Sequence, residues 1–110
     1  MHRKVVTVIT AITGDRVIIG KEEFEHARSE HFQVLPEDML LELIERILKD
    51  PTKLFEEKKL HQYHIFYRID SRKYLVVIVK KTDTGNYFST MYSTGTTIRN
   101  KHLNLKEIKI

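Results

Sequence analysis

Apolar residues recur along this chain with two different periods, and the switch between them divides it into a hairpin, two helices and a run of strands. Residues 4–10 and 16–19 are rich in Val, Ile and Thr, which suit a pleated surface, and the loop between them holds Gly14-Asp15. This predicts a β-hairpin whose first strand is short enough to lie at a sheet edge. From Lys21 to Phe32 the spacing turns helical, with Phe24, Ala27 and His31 in register and Glu22 and Glu23 in the first turn, where the macrodipole favours acids. Pro36 at a first helical position opens a second helix, with Leu40, Leu41, Ile44, Ile47 and Leu48 on one stripe, and Asp50-Pro51 closes it.

From Thr52 onward the period is two, which predicts strands at 53–57, 62–69, 73–81 and 86–93 joined as an antiparallel meander. Asp70-Ser71 and Asp83-Thr84-Gly85-Asn86 supply the turns, the second with a glycine for a positive φ. The expected architecture is α+β: two N-terminal helices packed on one side of a mainly antiparallel, meander-type sheet. In the strand 62–69 the odd positions Tyr63, Ile65, Tyr67 and Ile69 point inward, leaving Gln62, His64, Phe66 and Arg68 on the other face. Leu75 to Val79 is apolar on both faces, as at a sheet centre, and ends in Lys80-Lys81. The last strand offers Phe88, Thr90, Tyr92 and Thr94 on one side and Tyr87, Ser89, Met91 and Ser93 on the other, so alternation leaves its facing open.

Length adds that 110 residues suffice for one domain, expected over residues 1–95, with 96–110 as a basic tail or edge strand. The absence of cysteine removes disulfides, thiolate metal sites and thiol nucleophiles. The longest apolar run is Leu75 to Val79, far short of the roughly 20 residues a membrane helix needs. Met1-His2-Arg3-Lys4 is basic but is followed by too short an apolar stretch for a signal peptide, so the expected location is the cytoplasm and no membrane partner is expected.

Charge changes the picture more. The formal net charge is +4, yet Lys21 to Glu57 holds five Lys/Arg against eleven Asp/Glu, a balance of −6, while the rest holds fourteen against four, a balance of +10. Charge divided in this way makes a dipolar field if the halves occupy different sides of the fold, and the basic side attracts polyanions such as RNA. A face mixing His64, Phe66 and Arg68 with tyrosines and hydroxyls such as Tyr92 and Thr94 has the groups to stack bases, pair phosphates and donate hydrogen bonds.

Histidine placement argues against a metal. His26 and His31 lie about 140° apart around a helix, and His61 and His64 point to opposite faces of a strand. No metal site and no cofactor is expected, and no glycine-rich phosphate loop, nucleophile elbow or dinucleotide fingerprint occurs. His31, beside Phe32, is expected to be partly buried. Histidines, cations and hydroxyls without paired carboxylates on the sheet suit metal-independent RNA cleavage. There the ribose 2′-hydroxyl attacks the adjacent phosphate, a base takes its proton, cations stabilise the phosphorane and an acid protonates the leaving oxygen. Two rival readings use the same face or tail: a non-catalytic module binding RNA or protein, and an assembly protein whose residues after Gly95 pair with another subunit.

The order of elements, with His26 and His31 in "FEHARSEHF", Asp50-Pro51, Tyr67-Arg68, "YLVVIVKK" from Tyr74 and "FSTMYST" from Phe88, resembles a known group over residues 16–95. It is similar to the phage-associated branch of the barnase, EndoU, colicin and RelE-like (BECR) nuclease superfamily. The resemblance implies a small toxin-like endoribonuclease with an antitoxin or immunity protein as partner. It also implies His26 or His31 as proton-transfer groups, Arg68 and Lys80 as phosphate and transition-state stabilisers, and Thr90 with Tyr92 as substrate positioners. Two positions depart from the pattern: Ala27 stands where the family has Ile, and Glu30 where its second motif has Arg, and a glutamate cannot clamp phosphate.

Overall fold

The computed structural model describes residues 4–95 and 105–110. The expected hairpin forms from β1 (Val5–Thr10) and β2 (Arg16–Gly20), turned by a loop in which Gly14 takes φ 88°. α1 (Lys21–His31) follows directly, buries Phe24 and Ala27, and carries Glu22 and Glu23 at its start with Arg28 and His31 at its end. α2 (Glu37–Lys49) buries Leu40, Ile44, Ile47 and Leu48. Pro36 is the residue before its first turn rather than the first helical residue, and its extended backbone (ψ 153°) sets the entry angle. The Arg28 Nε donates to the Leu35 carbonyl at 2.9 Å, tying the interhelical loop back to α1, and the Ile12 N–H donates to the Leu48 carbonyl at 2.8 Å, tying the hairpin loop to the end of α2.

The meander is β3 (Lys53–Glu57), β4 (Gln62–Asp70), β5 (Lys73–Thr82) and β6 (Gly85–Thr94), each antiparallel to the next. A final strand, β7 (Leu105–Ile108), pairs antiparallel with β3, while residues 96–104 of the basic tail lie outside the described residues. The sheet order is β1-β2-β6-β5-β4-β3-β7, so β5 is the central strand and β1 an edge. One pairing departs from the meander expectation: β2 meets β6 in parallel, at Val17↔Asn86 and Ile18↔Tyr87. That contact joins the hairpin to the meander, and the chain between the two parallel strands runs through α1, α2 and β3 to β5. The result is two helices on a seven-stranded, mostly antiparallel sheet, and no helix among the described residues is long and apolar enough to cross a membrane.

The core lies between the helices and one sheet face, where Ile65, Leu75, Val77, Val79, Phe88 and Met91 meet the buried helical residues. Tyr67 packs against this core, as its neighbours on the strand suggested. The opposite face has its own apolar cluster of Phe55, Phe66, Val76 and Ile78, edged by Tyr74, Tyr92 and Leu105. The β5–β6 register shifts between Ile78↔Thr90 and Val79↔Phe88, so Ser89 is an extra residue on β6. The bulge resolves the facing that alternation left open: Phe88 and Met91 both enter the helix-side core, while Thr90 and Tyr92 stand on the other side.

Candidate functional site

The helix-free face is best followed in cross-strand rows. Thr94 lies opposite Tyr74, and Tyr74 opposite Arg68. The next row runs Tyr92, Val76, Phe66, Lys53, and the next Thr90, Ile78, His64, Phe55. Beyond it lie Tyr87, Lys80, Gln62 and Glu57. Strand alternation and the bulge together therefore put Arg68, His64, Lys80, Thr90, Tyr92 and Thr94 on one face.

They do not form one cluster. Arg68 and Thr94 are two strands apart, about 10 Å between backbones. Lys80 follows Tyr74 by six residues on β5, which separates its row from that of Arg68 by about 20 Å. One phosphate cannot touch both cations. The Arg68 end is the better defined: its main-chain N–H donates to the Thr52 Oγ1 at 2.9 Å, while the Thr52 N–H donates to the Phe66 carbonyl at 2.8 Å. The Arg68 side chain is exposed.

α1 contributes to the same end. Phe24, Ala27 and His31 share one side of the helix, and the sheet residue His31 meets is Tyr92, with ring centroids 6.5 Å apart. His31 also contacts Phe32 edge-on at 6.1 Å, but it is exposed rather than partly buried, because it sits in the last turn of α1 beyond the cover of the core. His26 points away from that side and is exposed, so the two histidines do not converge. Burial pushes the Tyr92 hydroxyl above the usual phenol range, which keeps it a neutral hydrogen-bond donor at physiological pH.

Two residues expected to meet substrate have other surroundings. Phe66 is fully buried, packed edge-on against Phe55 at 5.3 Å and Tyr74 at 6.0 Å, so no base can stack on it. A phenylalanine between β-branched neighbours on a central strand gains more by burial than by waiting for a ligand. His64 is half-buried, and its Nε2 lies 3.2 Å from the Gln62 Oε1.

Around Lys80 the structure adds residues that sequence reasoning passed over. A groove of about 480 Å³ is lined by Val5, Ile18, Lys80, Thr82, Thr84 and Tyr87. The Thr84 and Tyr87 hydroxyls lie 3.1 Å apart, and Thr82 Oγ1 accepts from the Thr84 N–H. Tyr74 was legible from alternation on β5, since it shares parity with Lys80; Tyr87 was not, because only the bulge turns it to this face. The neighbouring Lys81 points to the helix side, where its Nζ donates to Glu56 and sits 4.7 Å above the Tyr63 ring. That hydrogen bond lowers the Glu56 carboxyl and raises the Lys81 ammonium, and burial raises Tyr63. Lys81 is thereby held in a structural pair, while Lys80 stays exposed. Among the described residues, no group of three His, Cys, Asp or Glu side chains comes together to hold a metal ion.

Comparison with protein families, curated proteins and solved structures finds no match to this chain.

Proposed function

We propose that this chain is a metal-independent, toxin-like endoribonuclease of the BECR type, acting at the Arg68 end of the helix-free sheet face. The observation that carries this reading is the meeting of His31, from the end of α1, with Tyr92 on the strand that also bears Thr90 and Thr94, one row from Arg68. A histidine, a phenol, hydroxyls and a guanidinium are groups that can serve as base, substrate positioners and charge stabiliser in cleavage by 2′-hydroxyl attack.

In that reaction His31 takes the proton of the ribose 2′-hydroxyl, whose oxygen bonds to phosphorus as the bond to the 5′-oxygen breaks. The products are a 2′,3′-cyclic phosphate and a 5′-hydroxyl, whose oxygen takes its proton from water. Arg68 pairs with the non-bridging phosphate oxygens, which a guanidinium does in a forked geometry, and Tyr92 with Thr90 and Thr94 orients the ribose and phosphate. Lys80, about 20 Å away, holds a different phosphate of the same strand. The resemblance to the superfamily supports the same reading and adds an antitoxin or immunity protein as partner.

The separation of Arg68 from Lys80, with Glu30 in place of an arginine, favours the second reading, a non-catalytic RNA-binding module. Incubating purified protein with mixed cellular RNA and a tRNA pool in EDTA decides between them. A nuclease yields discrete products ending in cyclic phosphate, with loss in Arg68→Ala and His31→Ala and retention in His26→Ala. Intact RNA from folded wild-type protein that still binds it rejects the nuclease in favour of the binder.

A further inference from the structure

Several carboxylates of α1 and α2 play no part in the RNA site proposed above, yet they gather beside β1. Among the described residues β1 pairs only with β2, and its outer edge carries main-chain donors and acceptors with no strand partner there. Natural edges of this kind are commonly blunted by Lys or Pro, but Val5–Thr10 reads Val-Val-Thr-Val-Ile-Thr, with Val5, Val6 and Val8 exposed by 51%, 39% and 40%. Beside that edge run two adjoining hollows of about 290 and 310 Å³ that share Asp38 and Leu41. Val6, Phe24 and Leu41 line them with apolar surface. Glu25, Glu37, Asp38, Glu42 and Glu45 stand around them, against one lysine, Lys21, among the described residues. Among the described residues, Glu45 is paired with Lys49 at 3.3 Å and Glu37 with Arg28 at 4.0 Å, whereas Glu25, Asp38 and Glu42 have no ion pair.

We propose that this edge docks an extended, basic segment of a protein partner, added antiparallel or parallel to β1 as an eighth strand. Main-chain hydrogen bonds to β1 provide the common affinity. On the helix side its lysines or arginines lay their stems over Leu41 and face the carboxylates of α2, while the alternate apolar side chains point to the other face. Charge decides the occupant. Nucleic acid is repelled by the carboxylate rim, and a second copy pairing β1 to β1 antiparallel brings the two α2 rims beside each other with like charge. A basic strand meets neither penalty. This inference stands independently of the ribonuclease reading.

The test uses the full chain and a fluorescent, end-blocked peptide of three Val-Lys repeats, with a Val-Glu peptide and a Val-Lys peptide interrupted by a central proline as controls. Anisotropy is expected to detect the Val-Lys peptide alone, weakening at least tenfold in the double variant Asp38→Lys, Glu42→Lys and falling as salt rises. Amide hydrogen exchange is expected to gain protection along Thr7–Thr10. Both substituted carboxylates are exposed, so the variant keeps its fold, checked by circular dichroism. Equal binding of the proline-interrupted peptide, protection gained elsewhere, or no binding overturns the proposal, and so does a dimer seen by light scattering that protects β1 by itself.

Discussion

Replacing Phe66 with alanine separates two accounts of the helix-free face. If Phe66 were a stacking platform, the change would weaken RNA affinity and leave stability alone. In the structure the side chain is 0% exposed, its ring lies 5.3 Å from Phe55 and 6.0 Å from Tyr74 at interplanar angles of 80° and 81°, and Val76 and Ile78 complete the cluster. Truncating a fully buried phenylalanine removes its transfer free energy and leaves a cavity, together about 3–5 kcal/mol. The edge-on pairs are part of that loss, about 0.5–1.5 kcal/mol each. For a domain of this size about 1 kcal/mol corresponds to roughly 4 °C or somewhat more, so melting should fall by at least about 12 °C. Phe66→Leu, which keeps much of the volume, should cost about 1–2 kcal/mol. Urea unfolding followed by circular dichroism and tyrosine fluorescence gives both values. A loss under about 1 kcal/mol for Phe66→Ala, with an unchanged urea slope, would refute the burial argument.

Other expectations follow from particular contacts. Glu56 has its carboxyl pKa lowered by the Lys81 hydrogen bond, so its contribution is present above the unfolded carboxylate range and is lost as pH falls through the lower folded value. Glu56→Gln should therefore flatten stability against pH on the acid side, with a loss at neutral pH of about 1 kcal/mol, measured by melts from pH 2 to 7. Lys81 is raised, so its part persists below the unfolded lysine range and disappears as pH rises through the higher folded value. Gly85 sits at φ 146°, where a side chain is strained even though an added Cβ meets only the Ile18 Cδ1 at 3.6 Å; Gly85→Ala should cost about 1–3 kcal/mol in denaturant unfolding. Thr52→Val removes the acceptor of the Arg68 N–H and should cost about 1 kcal/mol, with two-dimensional NMR shifts confined to the β3–β4 end. Arg68→Ala should lower RNA affinity and its salt dependence by about one phosphate contact, whereas Lys81→Ala, already paired, should leave the salt slope unchanged.

Period alone located the elements here because burial on one side imposes a repeat that the chain must carry. The stripe of Leu40, Ile44, Ile47 and Leu48 made α2 legible, and the two-sided apolar run Leu75–Val79 placed β5 at the sheet centre. The shared face of His64, Arg68 and Lys80 also followed from parity, since no bulge separates their pairings on β4 and β5. Tertiary structure decided the rest. The extra residue Ser89 reverses facing midway along β6, an event that alternation cannot announce because either set of its residues could have packed inward. The parallel β2–β6 contact and the approach of His31 to Tyr92 join residues more than sixty positions apart, a closeness that depends on how α1 lies against the sheet and on no local preference. Phe66 was read as available because its face has no helix, but aromatic and β-branched neighbours from three other strands bury it together. Local sequence records which side chains avoid water; which of them find one another is settled only when distant strands pair.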